Sequence, residues 1–176
     1  MLSDLETRFG RRLPDFADRH RQRLRTLFEA GLQPIAGVTS VLDTLACHRC
    51  VASSSAPDRL RHALSLVGLF DRFHPNVFSA AEVARGKPAP DLFLHVAERM
   101  GAAPRHCVVV EDSLPGIAAA VAAGMTAIGF TGGGHCRPDH DPRLAAAGAA
   151  LVVGHMAQLL PALATARMNL PGSMIG

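Results

Sequence analysis

The stretch Cys107-Val108-Val109-Val110-Glu111-Asp112-Ser113-Leu114-Pro115-Gly116-Ile117 constrains this 176-residue chain more than any other. Its first four residues are apolar and mostly β-branched, the pattern of a buried strand in a parallel sheet. The strand stops at two adjacent carboxylates and a Ser. Pro115 and Gly116 follow, then residues 117–123 are rich in helix formers, and Gly124 closes that run as a helix C-cap does. Ligand sites of α/β sheets lie at the carboxyl edge of the strands. Glu111 and Asp112 stand at such an edge, with the hard oxygen ligands that Mg²⁺ takes. Asp and Ser are also good helix N-caps. This segment alone leaves the metal reading and the capping reading open.

Composition narrows the class. Hydrophobic residues make up 48% of the chain, enough for a packed core, and the formal net charge is +3. The Arg residues are dispersed, most densely over 8–25, with no basic run interleaved with aromatics; Trp and Tyr are absent. A nucleic-acid-binding surface is therefore not expected. Four Cys beside a large apolar core do not make a disulfide scaffold. The first residues carry no apolar signal stretch, and no run of 18 apolar residues spans a membrane. The expectation is a cytoplasmic enzyme or binding protein.

The N-terminal part reads as helical and charged. Leu2, Leu5 and Phe9 fall at helical spacing, and Gly10 ends that short helix. Pro14 opens a longer one with Phe16, His20, Leu24, Leu27 and Phe28 on one face. His20 on that face reads as a partly buried packing residue. Asp15 with Arg19, and Asp18 with Arg21, give the opposite face its solvated charges. Residues 32–37 carry Pro34 and Gly37 and read as a linker.

Beyond the linker, strand and helix alternate. Val38, Val41, Leu42 and Leu45 mark a helix, and 50–52 a short strand ending at Ser53-Ser54-Ser55. Pro57 stands at the first position of the next helix. Val77-Phe78 reads as a two-residue strand or an extended link. Gly86-Lys87-Pro88-Ala89-Pro90-Asp91 is a stiff loop feeding a helix with Leu92, Phe93, Val96 and Met100 inside. The strand over 107–110, the helix after it, strands over 126–130 and 151–153, and a last helix over 156–166, kinked at Pro161, complete the series. The expected fold is a three-layer α/β structure: strands near 50–52, 107–110, 126–129 and 151–153 in one parallel, Rossmann-like sheet with helices on both faces.

Three strand ends carry the chemistry. The Ser53–Ser55 loop offers hydroxyls and backbone N–H groups to a phosphate ahead of a helix. Lys87 is held between prolines, and Glu111 with Asp112 supplies carboxylates. Hydroxyl, ammonium and paired acids at one sheet edge are the groups that hold and neutralise a phosphoryl group.

Val51-Ala52-Ser53-Ser54-Ser55, Gly86-Lys87-Pro88-Ala89-Pro90-Asp91 and Val110-Glu111-Asp112-Ser113-Leu114-Pro115-Gly116-Ile117 resemble the second, third and fourth motifs of the haloacid dehalogenase superfamily. The resemblance is to its phosphatase and β-phosphoglucomutase-like branch. It runs from about residue 32 to about residue 163, and Ala122-Ala123-Gly124-Met125 also fits. It implies that Ser53, with Ser54 beside it, binds a phosphoryl oxygen. It implies that Lys87 steadies the phosphoryl group and the nucleophile, making Ser53 and Lys87 the catalytic residues of this chain. It further implies that Glu111 and Asp112 help hold Mg²⁺. Residues 1–35 resemble the later part of the branch's helical cap with its linker, 36–167 an incomplete core, and 168–176 reads as a flexible tail.

The first motif of the family, an apolar strand followed by Asp-x-Asp, has no counterpart. The one Asp-x-Asp is Asp139-His140-Asp141, which has no apolar strand directly before it and reads as a surface loop. In the family the first-motif strand lies between the strands matching those that end at Ser53 and Glu111. The expectation is a truncated chain, from an incomplete gene model, a fragment or a degenerate copy. The resemblance implies a Mg²⁺-dependent phosphatase or phosphomutase acting on a small phosphorylated metabolite through an aspartyl phosphate, its nucleophile outside these residues. The second class is a non-catalytic phosphate-binding or interaction domain. Neither oligomeric state nor substrate is readable. Cys47-His48-Arg49-Cys50 lacks the second pair a zinc site needs. Cys50 and Cys107 read as core residues, and His135, Cys136 and His140 as a solvated loop cluster. No Gly-x-Gly-x-x-Gly follows a strand.

Overall fold

Beyond the linker, apolar runs three to five residues long alternate with helix formers, and each run becomes a strand. The computed structural model describes residues 7–10 and 14–168. In chain order it forms helices α1 (Phe16–Gly31) and α2 (Val38–Thr44), strand β1 (Val51–Ser53), helices α3 (Pro57–Leu66) and α4 (Phe70–Phe73), and strand β2 (Val77–Ser79). Helix α5 (Asp91–Arg99), strand β3 (Val108–Glu111), helix α6 (Leu114–Ala122) and strand β4 (Thr126–Phe130) follow. Helix α7 (His140–Ala146), strand β5 (Leu151–Val153) and helix α8 (Leu159–Met168) complete the order. The expected tail lies outside the described residues apart from Met168, and Leu2 and Leu5 of the expected first helix lie outside them too.

All strand pairs are parallel, but they form two sheets rather than the single one expected. Strand β1 pairs with β2, Val51 opposite Val77. Strands β3, β4 and β5 form the second sheet, with β4 central; Val108 faces Thr126 and Ile128 faces Leu151. The facing edges of β1 and β3 share no ladder. The period of two along β4 sends Ala127 to one face and Ile128 and Phe130 to the other. Ala127 meets Ile117 and Ala120 of α6 and Leu144 of α7. Ile128 and Phe130 meet Val41 of α2 and Leu159 and Ala162 of α8. Helices therefore cover both faces.

Helix α5 spans the break between the sheets. Its Leu92 and Val96 pack with Phe78 of β2, while Phe93 and Ala97 join the core under β3 and β4. Local signals set the helix ends. Pro57 opens α3 where its missing N–H has no partner to lose. Gly124, at φ +72°, ends α6 in the left-handed conformation, and its N–H donates to the Val121 carbonyl.

Four expectations change. Helix α6 starts at Leu114 rather than after Gly116, because Ser113 caps it and Pro115 sits in its first turn. Asp139 and His140 do not lie in a plain loop: Asp139 stands at the N-cap of α7. Pro161 is the third residue of α8, within the first turn where N–H groups lack intrahelical partners. His20 is exposed and stacks on Phe16 at 5.9 Å, because α1 lies mainly against α3 and none of its residues is buried.

Candidate functional site

The phosphate-loop candidate follows directly from the end of β1. Ser53 is the last strand residue, and its Oγ accepts a hydrogen bond from Ser55 N–H at 3.1 Å. That bond turns the chain sharply toward α3. Ser54, at the tip, is exposed. The Ser55 carbonyl accepts from Ser79 Oγ at 2.7 Å, and Ser79 is only 2% exposed. Ser79 is itself fixed: its Oγ accepts from Ala81 N–H, and its N–H donates to Glu82 Oε1 at 2.6 Å. Sequence reasoning missed Ser79. Its signal is the Ser79-x-x-Glu82 spacing of a capping box, realised here at a short 3₁₀ turn after β2.

Lys87 joins the two sheets. Its Nζ donates to the Ala52 carbonyl of β1 at 3.2 Å and to Glu111 Oε2 at the end of β3 at 2.7 Å. The ammonium also lies 4.8 Å from the centre of the Phe93 ring. Both charged side chains are nearly buried, at 8% and 11% exposure, so water screens the pair little. The loop carrying Lys87 is pinned beyond it, where Arg85 forks onto Asp91 at 3.0 and 2.8 Å. The hydrogen bonds from Arg85 hold the Asp91 carboxyl below its usual range.

The two acids after β3 have different surroundings. Glu111 Oε1 accepts from Ser113 Oγ at 2.7 Å and Ser113 N–H at 3.3 Å, so both of its oxygens are engaged. Ser113 Oγ accepts in turn from Gly116 N–H at 3.1 Å and caps α6. A Cβ on Gly116 would lie 2.1 Å from Glu111 Cδ, so only Gly leaves room for the carboxylate over the helix start. Asp112 is half exposed, and its Oδ2 lies 3.0 Å from His135 Nε2. His140 Nε2 lies 2.6 Å from the Asp112 carbonyl.

His135 and His140 thus stand beside Asp112, while the His135 side chain stays solvated as expected, at 64% exposure. Gly133 lets the loop after β4 fold back, since a Cβ there would lie 2.7 Å from the His135 ring. Cys136 touches His135 at 3.6 Å, yet among the described residues no three His, Cys, Asp or Glu side chains group to hold a metal ion. Mg²⁺ needs near-octahedral oxygen coordination. These residues alone do not complete such a site: Glu111 is committed to Lys87 and Ser113, and Asp112 is the carboxylate left to contribute.

The remaining candidates are placed plainly. All four cysteines are free. Burial pushes the Cys50 thiol up to about 11, with nearby Cys107 adding to the effect, so Cys50 is a core thiol. Among the described residues no helix is long and apolar enough to cross a membrane.

The arrangement brings Ser53, Lys87, Glu111 and Asp112 to one carboxyl edge. It can hold an anion between a backbone turn and an ammonium. The chain is 40% identical to a conserved haloacid dehalogenase-like protein of unknown function from Agrobacterium tumefaciens, covering 93% of this chain and 75% of that one with a TM-score of 0.82. A haloacid dehalogenase family hydrolase from Deinococcus radiodurans, solved with phosphate and sodium, is 34% identical over 94% of this chain and 74% of its own, at TM-score 0.76. Among curated proteins, the 6-phosphogluconate phosphatase of Escherichia coli is 28% identical over 125 residues, 71% of this chain. The chain spans 57% of that relative's length and 32% of the bifunctional riboflavin kinase/FMN phosphatase of Arabidopsis thaliana. The model of the haloacid dehalogenase-like hydrolases matches residues 4–124, and the chain belongs to that family.

Proposed function

We propose that this chain supplies the phosphoryl-binding half of a phosphatase or phosphomutase acting on a small phosphorylated metabolite. One observation carries the reading. The Lys87 ammonium bridges the end of β1, where the Ser53–Ser55 turn begins, to Glu111 at the end of β3. A phosphoryl group seated there meets the hydroxyl of Ser53, the turn at Ser54 and the positive charge of Lys87. These residues bind, orient and neutralise it. Names among the relatives agree with a small phosphate ester: 6-phosphogluconate phosphatase, hexitol phosphatase A and fructose-1-phosphate phosphatase.

None of these groups is placed as the attacking carboxylate. Glu111 is bound by Lys87 and Ser113, and Asp139 and Asp141 lie at the exposed start of α7. In this reading the nucleophilic Asp comes from chain outside these residues, on a strand entering between β1 and β3. Val110 of β3 keeps 38% exposure although helices cover the sheet, which supports an open place there. Asp112 is the ligand this chain offers to a Mg²⁺ ion completed by that segment.

The test compares the 176-residue chain with one extended by in-frame upstream sequence encoding an apolar strand and Asp-x-Asp. The short chain is expected not to hydrolyse p-nitrophenyl phosphate above background. The extended one is expected to do so with Mg²⁺, and to lose activity in Lys87→Ala. Robust turnover by the short chain, abolished by Asp139→Asn or Asp141→Asn, would overturn the reading. An extended protein that binds phosphate without turnover would favour the non-catalytic alternative.

A further inference from the structure

A carboxylate engaged at both oxygens stands behind the Ser53–Ser55 turn. Glu82 ends the 3₁₀ turn after β2, over Ala80–Glu82. Its Oε1 accepts from Ser79 N–H at 2.6 Å, and its Oε2 lies 3.3 Å from His95 Nε2 of α5. A carboxylate only accepts, so the imidazole N–H is the donor. The His95 ring stands edge-on to Phe78 at 6.0 Å, and Phe78 is buried against Leu92 and Val96 of α5. Capping a turn of three residues takes one oxygen of the carboxylate. The other is fixed by a residue 13 positions along the chain.

The cap leads to the site. Ser79 stands opposite Ser53 in the ladder of β1 and β2. Its Oγ donates to the Ser55 carbonyl at 2.7 Å, and Ser55 N–H donates to Ser53 Oγ at 3.1 Å. Hydrogen bonds therefore run from His95 through Glu82, Ser79 and Ser55 to Ser53, from α5 to the end of β1. Ser79 is 2% exposed, so water does not stand in for Glu82 as acceptor of its N–H. Without that carboxylate a buried donor is left unmade, and the backbone at Ser79 must move to reach water. The move takes Ser79 Oγ away from the Ser55 carbonyl. Phe93 of the same helix lies 4.8 Å from the Lys87 ammonium, so α5 bears on both arms of the site.

We propose that Glu82, oriented by His95, is a positioning residue for phosphate binding: it fixes the Ser53–Ser55 turn through Ser79 without touching the ligand. The inference rests on the phosphoryl reading of Ser53 and Lys87, and the experiment separates the two. Calorimetry with inorganic phosphate is run on the 176-residue chain and on Glu82→Ala, Glu82→Gln, His95→Ala and Lys87→Ala. Ile128→Val, a buried change in β4, is the destabilised control. Urea midpoints show that each variant is folded. Amide exchange at Ser55 reports the turn directly, because that N–H is the one bonded to Ser53 Oγ.

Glu82→Ala should weaken phosphate about fivefold, the size of one net hydrogen bond, and speed Ser55 exchange by a similar factor. Glu82→Gln keeps an acceptor for Ser79 N–H and should restore most of both. His95→Ala should fall between Glu82→Ala and wild type. Ile128→Val should bind phosphate as wild type does. Unchanged phosphate binding in Glu82→Ala, with Lys87→Ala weakened, overturns the positioning role and leaves the phosphoryl reading standing. A loss shared equally by Ile128→Val, or one without faster Ser55 exchange, also overturns it. Loss in Glu82→Ala with faster Ser55 exchange, but none in Lys87→Ala, supports the positioning role and overturns the assignment of Lys87. A wild-type chain that binds no phosphate overturns both.

Discussion

Replacing Lys87 by Ala tests whether the ammonium fastens the two sheets together. The change removes the bonds to Ala52 O and Glu111 Oε2, which are the polar contacts between the ends of β1 and β3. Breaking a buried pair by deleting one partner typically costs about 3–5 kcal/mol, because the other charge stays desolvated. Here Glu111 keeps the hydroxyl and the N–H of Ser113, which stabilise its charge. We therefore expect about 2–3 kcal/mol for Lys87→Ala. Glu111→Gln should cost somewhat less, since the Lys87 ammonium retains the Ala52 carbonyl and the Phe93 face. Urea unfolding of wild type, both single variants and the double variant gives the coupling energy. A coupling of at least about 1.5 kcal/mol, little changed by added salt, is expected for a pair this buried. A value under about 0.5 kcal/mol, the range of exposed ion pairs, would refute the argument that Lys87 holds the sheets in register.

Further predictions concern the same edge. Gly116→Ala should destabilise the fold by about 1–3 kcal/mol and weaken phosphate binding, read by urea unfolding and calorimetry, because its Cβ must displace the Glu111 side chain. Ser79→Ala should loosen the Ser53–Ser55 turn at a cost of about 1–2 kcal/mol, with faster amide exchange at Ser55 as the specific readout. Mg²⁺ alone should bind this chain weakly, in the millimolar range or above, and Asp112→Ala should weaken it further; tight binding indifferent to that change would place the metal elsewhere. The Cys50 thiol should stay protonated at pH 9, where an ordinary thiol is half ionised, and its alkylation should climb only toward pH 11 while exposed Cys47 reacts first; mass spectrometry of labelled peptides distinguishes them.

What the sequence showed, and what it hid, divides by range along the chain. Signals confined to a few residues were legible. Thr126–Phe130 is a strand with the bounds its apolar run predicted, Pro57 opens its helix, and Gly124 closes α6. Helix α7 escaped because it offers one apolar anchor, Leu144, among alanines, and no stripe at helical spacing. The residues that complete the site act across long separations. His140 reaches the Asp112 carbonyl 28 residues away, and Ser79 reaches the Ser55 carbonyl 24 residues away. Nothing in the local pattern of either residue encodes its partner. Spacing does encode that Ser79 and Glu82 form a cap, yet it cannot say which loop the cap supports.

The split sheet follows from the same limit, and it bears on function. An apolar run declares a strand but not its neighbour, so four strands were expected in one sheet, although the missing first-motif strand was expected to leave the middle of that sheet open. The backbone instead pairs β1 with β2 and β3 with β4, and leaves two parallel edges facing each other across the site. Unpaired edges of this kind are templates for a further strand. Helix α5 and Lys87 are what span the break: Leu92 and Val96 face one sheet, Phe93 and Ala97 the other, and the ammonium bonds to both strand ends. The contacts that join the sheets thus include the very side chain assigned to the phosphoryl group. In the proposed function a phosphate at this edge draws the same ammonium, which would couple ligand binding to sheet register through Lys87. Phosphate should therefore raise the unfolding midpoint of the wild-type chain and not that of Lys87→Ala, and equal shifts in the two proteins would break the link between the site and the fold.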